Sequence, residues 1–226
     1  MLTFEKTLIY GNPNIGVYVY TNELFSFIPK DAPEKLERIV ASSLQVPVYR
    51  ITLCQSPLIG VFSSGNSKGL ILSKLVTDEE LSLIKKLVKE EVNVMVIRNV
   101  KESAIGNLIL ANDKAAIISP LLPRTLCREI QDVLDVEVII RAISGFPLVG
   151  SVAVVSNKGL LVNPLIKEEE IEELGDIFGV KADVGTVNRG NIFLRSGIVV
   201  NSKGGIVGSE TTGPELMRLH QVFFGD

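Results

Sequence analysis

The sequence predicts an α/β protein made of five consecutive repeats of about 45 residues, each with the order β-β-α-β. Two observations lead to this prediction. A segment with two apolar runs around a polar turn occurs five times along the chain, and an amphipathic helix pattern follows each copy. Units of this size are too small to bury their own apolar faces. We therefore expect all 226 residues to pack into one body.

The clearest copy of the recurring segment is Leu148–Pro164, where the turn Ser156-Asn157-Lys158-Gly159 separates two apolar runs. Strand-like runs around an Asn- and Gly-containing turn are typical of a β-hairpin. The other copies are Ile15–Pro29, Leu58–Leu72, Ala104–Pro120 and Gly197–Gly208. The turn asparagines set the repeat at steps of 44, 46, 45 and 44 residues: Asn22, Asn66, Asn112, Asn157 and Asn201. The predicted repeats are roughly 7–51, 52–97, 98–141, 142–186, and 187–226 together with 1–6.

A helix is predicted after each hairpin, because apolar residues recur there at helical spacing on one face. Thr77 and Glu80 have the spacing of a capping box, and Thr212 is a plausible cap for the last helix. Pro33 and Pro214 suit a first helical turn. The predicted helices are Pro33–Leu44, Thr77–Val88, Pro123–Leu134, Lys167–Phe178 and Thr212–Val222.

A short β-type segment follows each of the first four helices, but the chain ends before the fifth unit can form its own. The four segments are Val46–Ile51, Val92–Ile97, Val136–Arg141 and Val180–Thr186. Counting back along the repeat places Phe4, within Leu2–Lys6, at the corresponding position. We therefore expect the N-terminal strand to join the last unit and close the five repeats into a ring, leaving no open junction between its ends.

Composition restricts the possible functions. The net charge is −3, and Lys and Arg are scattered singly, which argues against a dedicated nucleic-acid groove. We find no signal region and no run of 18 apolar residues, so we expect a cytoplasmic protein without membrane contacts. Cys54 and Cys127 have no CxxC partners, which fits a reducing compartment and disfavours a zinc site.

Other motifs have ordinary structural explanations, and we expect no active site, metal or cofactor. Gly208–Gly213 has P-loop glycine spacing, but Pro214 stands where a phosphate-binding Lys is required. Gly65–Gly69 coincides with a hairpin turn, and the glutamates of Glu168–Glu173 open a helix, where carboxylates favour the dipole. A single histidine, His220, cannot form a zinc site alone.

Positions that depart from the repeat are the candidate binding residues. Asn107 follows the first hairpin glycine of its unit, where other units have Val17, Val61 and Ser151. Its amide could hydrogen-bond to a partner, or it could cap its own turn.

A second departure precedes the last hairpin. The pair Asn188-Arg189 has no counterpart in other units, and Arg189 could bind an anionic group or tie the fifth unit to its neighbour. We favour the tie slightly. Asn12 and Asn14 lie at the matching approach in the first unit and are weaker candidates.

Five segments together resemble the archaeal branch of the translation initiation factor 6 family, in order from about Ile15 to Phe224. They are Ser103-Ala104-Ile105-Gly106-Asn107, Asn112-Asp113-Lys114-Ala115-Ala116, Leu148–Gly159, Gly185-Thr186-Val187-Asn188-Arg189-Gly190 and Gly197-Ile198-Val199-Val200-Asn201. The resemblance implies a closed five-fold α-β propeller, the pentein fold, and a ribosome anti-association factor. Such a factor binds the intersubunit face of the large (50S) subunit, near the sarcin–ricin loop, largely through a ribosomal protein.

The same resemblance implies a role in large-subunit biogenesis, and release that involves a GTPase and a Shwachman–Bodian–Diamond family protein. It places Asn107 in the region that faces the ribosome. We expect a monomer.

Two other functions remain open at this stage. Some penteins modify guanidino compounds with a Cys nucleophile and a His, but here both cysteines precede His220, unlike the order in those enzymes. A ring-shaped scaffold for another partner is the second alternative.

Overall fold

The computed structural model describes residues 4–225, and its strands form five three-stranded sheets. The strands are β1 Phe4–Thr7, β2 Tyr20–Thr21, β3 Ser26–Pro29, β4 Val48–Ile51, β5 Ser63–Gly65, β6 Gly69–Leu72, β7 Asn93–Val96, β8 Ile109–Ala111, β9 Ala115–Ile118, β10 Glu137–Ile140, β11 Ala153–Val155, β12 Gly159–Val162, β13 Lys181–Val184, β14 Ile198–Asn201 and β15 Gly204–Gly208. The predicted α/β composition is confirmed.

All five sheets have the same topology. In the first four, an antiparallel hairpin is completed by a parallel third strand: β2-β3-β4, β5-β6-β7, β8-β9-β10 and β11-β12-β13. In the fifth sheet, β14 and β15 form the hairpin and the N-terminal strand β1 pairs parallel to β15, with Phe4 opposite Gly205. The predicted contribution of the N-terminal strand is therefore confirmed for Phe4–Lys6, whereas Leu2 lies outside the described residues.

One long helix follows each hairpin, as predicted. The helices are α1 Glu34–Leu44, α2 Asp78–Val88, α3 Leu126–Leu134, α4 Glu168–Phe178 and α5 Gly213–Phe223, and a 3-10 turn at Lys89–Glu91 extends α2. Capping boxes are present at Thr77 with Glu80 and at Thr212 with Glu215. Pro33 lies at the N-cap of α1 instead of within its first turn. The third helix begins three residues later than predicted, after a turn in which the Leu126 N–H donates to Pro123 O.

The first apolar run of each predicted hairpin is not a continuous strand. It begins with a single helical turn, which we call a lead-in turn: Ile15–Val17, Ile59–Phe62, Ile105–Asn107, Val149–Val152 and Leu194–Gly197. Consecutive lead-in turns approach each other closely through their backbones. A Cβ on Gly60 would lie 2.0 Å from the carbonyl oxygen of Gly16, so only glycine permits this approach. The fifth lead-in turn differs, because Arg195 stands where the others have glycine.

The structure also corrects one position of the repeat. Asn22, Asn66, Asn112 and Asn201 are buried, and each side-chain oxygen accepts the backbone N–H groups two and three residues later. In the fourth hairpin, this place belongs to buried Ser156. Its neighbour Asn157 instead donates to Asp113 Oδ2 at 2.6 Å. The prediction that Asn157 is the equivalent of the other four asparagines is wrong. The buried turn position is occupied by Ser156, and Asn157 lies one residue later, where its side chain contacts Asp113.

Five clusters of buried side chains form the core, and each joins residues of two consecutive sheets. One cluster, for example, combines Leu36, Val40 and Leu44 of α1 with Val199 and Ile206 of the fifth sheet. Burial of such side chains contributes about 1.5–3 kcal/mol each to the free energy of unfolding. The repeats therefore stabilise one another through shared cores.

Within residues 4–225, no helix is both long enough and apolar enough to span a membrane.

Candidate functional site

The five lead-in turns contribute side chains to one surface cavity, with a volume of about 210 Å³. Both predicted and unpredicted residues contribute to it. We call this surface the lead-in rim and define it by Gly16, Val17, Gly60, Val61, Asn107, Ser151, Phe193, Arg195 and Ser196. Of the predicted site residues, Asn107 lines this cavity, whereas Asn12, Asn14, Asn188 and Arg189 are not among its lining residues.

Asn107 is the last residue of the third lead-in turn and is half-buried in the rim. Its backbone N–H donates to Ala104 O at 3.0 Å, which closes the turn through the main chain. Its side-chain amide makes no hydrogen bond to any residue between positions 4 and 225. The expected alternative, a local cap, is therefore not supported. Both the donor and the acceptor of this amide are available to a partner.

Asn188 joins the fifth unit to the start of the first. Its Nδ2 donates to Pro13 O at 3.1 Å, and its Oδ1 accepts from the Thr211 hydroxyl at 3.3 Å. The backbone at this position has a φ of +49°, a left-handed conformation that asparagine tolerates better than most residues. Asn188 is thus held by its own chain.

Arg189 follows in the same turn, also with a positive φ. Its backbone N–H donates to Glu215 Oε2 at 3.3 Å. The side chain is exposed and takes part in none of the ion pairs of the described chain. The tie to a neighbouring unit that the sequence suggested for Arg189 is therefore made by Asn188, and the guanidinium faces solvent-accessible space.

Asn12 and Asn14 stabilise the corresponding segment of the first unit. The Asn14 N–H donates to Asn12 Oδ1 at 2.8 Å, and the Ser196 hydroxyl donates to Asn14 Oδ1 at 3.2 Å. The predicted match to Asn188-Arg189 is displaced, because the Ile9–Asn12 bridge corresponds to the Val187–Asn191 bridge. The positive-φ counterpart of that pair is Tyr10-Gly11.

A glutamate that the sequence analysis did not connect to the site holds the 188–190 turn. Glu215 accepts the Gly190 N–H at 2.9 Å and the Thr212 N–H at 2.7 Å, in addition to the Thr186 hydroxyl at 2.8 Å. Burial raises the pKa of Glu215, but these backbone and hydroxyl donors outweigh it and lower the pKa to about 2.

The same arrangement recurs in two other units. Glu80 accepts the backbone N–H groups of Cys54 and Gln55, and Glu170 accepts that of Ser144. The sequence signal for this role was a glutamate in the third residue of a helix. From the sequence alone, Glu80 is predicted only as part of a cap and Glu170 only as part of an acidic helix start.

Exposed apolar side chains lie beside the lead-in turns. Leu148 and Phe193 immediately precede the fourth and fifth turns and are 38% and 46% exposed. Together with the free amide of Asn107, they give the rim both apolar and polar contact groups. Such a mixture is characteristic of protein-binding surfaces.

The residues that an enzyme would need lie in different places. Cys54 is in a turn before the second sheet, Cys127 is on α3 and His220 is on α5. Burial raises the pKa of the Cys54 thiol to about 11, which keeps it protonated at neutral pH. Cys127 Sγ donates to Val138 O at 3.4 Å. Among residues 4–225, no group of His, Cys, Asp and Glu side chains is arranged to hold a metal ion.

Comparison with known proteins gives a consistent assignment. The model of the eIF-6 family matches residues 4–222. A translation initiation factor 6 from Pyrobaculum aerophilum is 48% identical over 222 residues, which cover 98% of this chain and 99% of that protein. Proteins of the same name from Aeropyrum pernix and Saccharolobus solfataricus are 44% and 43% identical over 226 and 222 residues, with 99% and 97% of this chain and 95% and 98% of theirs covered. The chain belongs to the eIF-6 family.

Proposed function

We propose that this protein binds the large (50S) ribosomal subunit at its intersubunit face and sterically prevents association with the small subunit. The observation that carries the proposal is the match to the eIF-6 family over residues 4–222. In this role the protein acts as a rigid obstacle and needs neither a cofactor nor catalysis. The protonated Cys54 thiol supports a non-enzymatic mode of action.

The proposed obstacle is a single closed domain, a five-fold α-β propeller with the repeats predicted from the sequence. Two contacts between the ends of the chain support closure: the pairing of β1 with β15 and the hydrogen bond from Asn201 to Asn22 O. In a closed ring the last unit packs against the first, so no unit has an unpartnered apolar side. It would present the lead-in rim as one stiff surface and act as a monomer.

We assign the ribosome contact to the lead-in rim. Asn107 would hydrogen-bond to the backbone of a ribosomal protein near the sarcin–ricin loop, and Phe193 and Leu148 would pack beside it. The guanidinium of Arg189, which is exposed, would bind an anionic group of the ribosome. Asn12, Asn14 and Asn188 would support the rim from within, because their side chains are already bonded to the chain.

The proposed partner of the rim is protein and not RNA phosphate. A phosphate footprint needs many Lys and Arg contacts, but this chain has 23 basic and 26 acidic residues. The wider biological role, in cytoplasmic large-subunit biogenesis with release by a GTPase and a Shwachman–Bodian–Diamond family protein, is part of the same proposal.

Co-sedimentation tests the proposal directly. The purified protein is mixed with 50S subunits from an archaeon and centrifuged through a sucrose gradient at moderate salt. We expect it to migrate with the 50S peak and to reduce the 70S peak when 30S subunits are added. A protein that remains at the top of the gradient, or that migrates with 50S without reducing the 70S peak, would contradict the proposal.

A further inference from the structure

A second, more enclosed cavity lies behind the lead-in rim and is lined by residues from all five sheets. Its volume is about 60 Å³, enough for a few water-sized positions at about 10–15 Å³ each. We call it the shared cavity. Among its lining residues are Tyr20, Ser64, Leu110, Val154, Arg195 and Val199. Two of them carry polar groups that the described chain does not fully pair: the Arg195 guanidinium and the Tyr20 hydroxyl.

Arg195 brings a positive charge into this cavity. It replaces the glycine found in the other four lead-in turns, and its Nη2 donates to Ser63 O, in the second sheet, at 3.1 Å. That bond uses one of five guanidinium N–H groups. None of the ion pairs among residues 4–225 involves Arg195. Burial lowers the pKa of Arg195, although the residue is only partly buried and also lines the lead-in rim.

Tyr20 supplies an unused hydroxyl to the same cavity. The residue is 3% exposed, and within the described chain its Oη has no hydrogen-bond partner. The nearby side-chain oxygen of Asn22 already accepts two backbone N–H groups, from Leu24 and Phe25. A buried hydroxyl without an acceptor costs about 1–3 kcal/mol, so its isolation calls for an explanation.

The carboxylates of Asp113 and Glu23 accept hydrogen bonds at the hairpin turns and do not line the shared cavity. Asp113 and Glu23 line a separate cavity of about 40 Å³ at the hairpin turns. Asp113 accepts from Ser67 and Asn157, and Glu23 accepts from Ser202. The charge of Arg195 therefore has no anionic side chain to balance it inside the shared cavity.

We propose that the shared cavity binds a small monovalent inorganic anion, with chloride as the natural occupant, between the Arg195 guanidinium and the Tyr20 hydroxyl. The anion would accept hydrogen bonds from both groups and balance the unpaired charge of Arg195. One positive charge favours a monovalent ion, and the volume excludes large organic anions. The inference does not depend on ribosome binding.

Two measurements test this site on the full-length protein. In the first, crystals are soaked in sodium bromide, and anomalous scattering locates bound bromide. We expect a peak in contact with the Arg195 guanidinium. In the second, thermal unfolding is compared in sodium chloride and sodium gluconate at equal ionic strength. We expect a saturable rise in Tm of about 3–6 °C when chloride is tenfold above its dissociation constant.

Variants separate the proposed site from general salt effects. Arg195→Met and Tyr20→Phe should each abolish or reduce the difference between the two salts, whereas Arg98→Met, at an exposed arginine, should retain it. If Arg195→Met does not fold, Tyr20→Phe and the bromide map still decide. The absence of bromide from the cavity, equal Tm values in both salts, or a chloride effect that is undiminished in Tyr20→Phe would each overturn the proposal.

Discussion

The side-chain nitrogen of Asn201 donates to the backbone oxygen of Asn22 at 3.3 Å, although the two residues are 179 positions apart. The same nitrogen donates to Leu44 O, at the end of α1, at 2.9 Å. Asn66 and Asn112 make equivalent pairs of bonds to the following turn and to the end of the following helix. A buried asparagine therefore staples one unit to the next, and the last unit to the first.

We predict that Asn201→Ala lowers the free energy of unfolding by about 2–4 kcal/mol, because it leaves several buried backbone groups without partners. Chemical denaturation measures this change. Asn157→Ala is the matched control, since its half-buried side chain bonds only to Asp113, and it should cost about 1 kcal/mol or less. Equal losses in the two variants would contradict the assignment of the staple.

The fourth junction lacks the staple because Ser156 occupies the position of the asparagine. Ser156 accepts the Lys158 N–H at 3.0 Å but makes no bond to the fifth unit. We predict that Ser156→Asn supplies the missing bonds and raises the free energy of unfolding by about 0.5–1.5 kcal/mol. A thermal melt checks the direction. A lower Tm would show that the fourth junction cannot accommodate the larger side chain.

Glu215 should make stability depend on pH in the acid range. Because its pKa is lowered to about 2 in the folded protein from 4.5, its contribution is present above pH 4.5 and is lost as the pH falls towards 2. The full shift is reduced by solvent screening, which leaves about 1–2 kcal/mol at pH 7. At pH 7 the free energy of unfolding of the wild type should exceed that of Glu215→Gln by this amount. Near pH 2 the two free energies should become equal.

Denaturation of both proteins at several pH values tests this dependence. Glu210→Gln removes an exposed carboxylate five residues earlier and serves as the control. It should track the wild type at every pH. A difference between wild type and Glu215→Gln that persists unchanged at pH 2 would argue that the glutamine disturbs packing and that the charge is not the cause.

For ribosome binding, we predict that Asn107→Ala weakens co-sedimentation with 50S subunits by about tenfold, the loss expected for one or two interface hydrogen bonds. Its Tm should stay within about 1 °C of the wild type, because the side chain makes no hydrogen bond in the described chain. Asn93→Ala, at an exposed asparagine beside the hairpin turn at Lys68, is the control and should bind normally. A large loss of Tm in Asn107→Ala would assign this residue a structural role.

Local patterns were sufficient for much of the architecture. Apolar residues at helical spacing located all five long helices to within three residues, since an amphipathic face must be buried against a sheet. The missing last strand and the position of Phe4 predicted the pairing of β1 with β15, which the structure confirms. These features depend on the spacing of residues along the chain, which can be counted in the sequence without knowledge of tertiary contacts.

The candidate site was harder to predict from the sequence, because its chemistry depends on contacts between units. Asn107 was selected as a departure from the repeat, but only the structure shows that its amide is free. Asn188 and Arg189 were candidate binding residues for the same reason, their departure from the repeat. In the structure the Asn188 side chain bonds to Pro13 O, whereas the guanidinium of Arg189 is exposed. Residue type does not reveal which polar groups find partners.

The sequence by itself determined the repeat, the order of its elements and the family to which the chain is similar. Tertiary structure decided which turn residue is the staple, that a glutamate holds the 188–190 turn, and that Arg195 enters a cavity shared by all five sheets. The physical reason is the same in each case. Periodic burial is a local property of the chain, whereas hydrogen-bond satisfaction and charge balance depend on groups that folding brings together from distant positions.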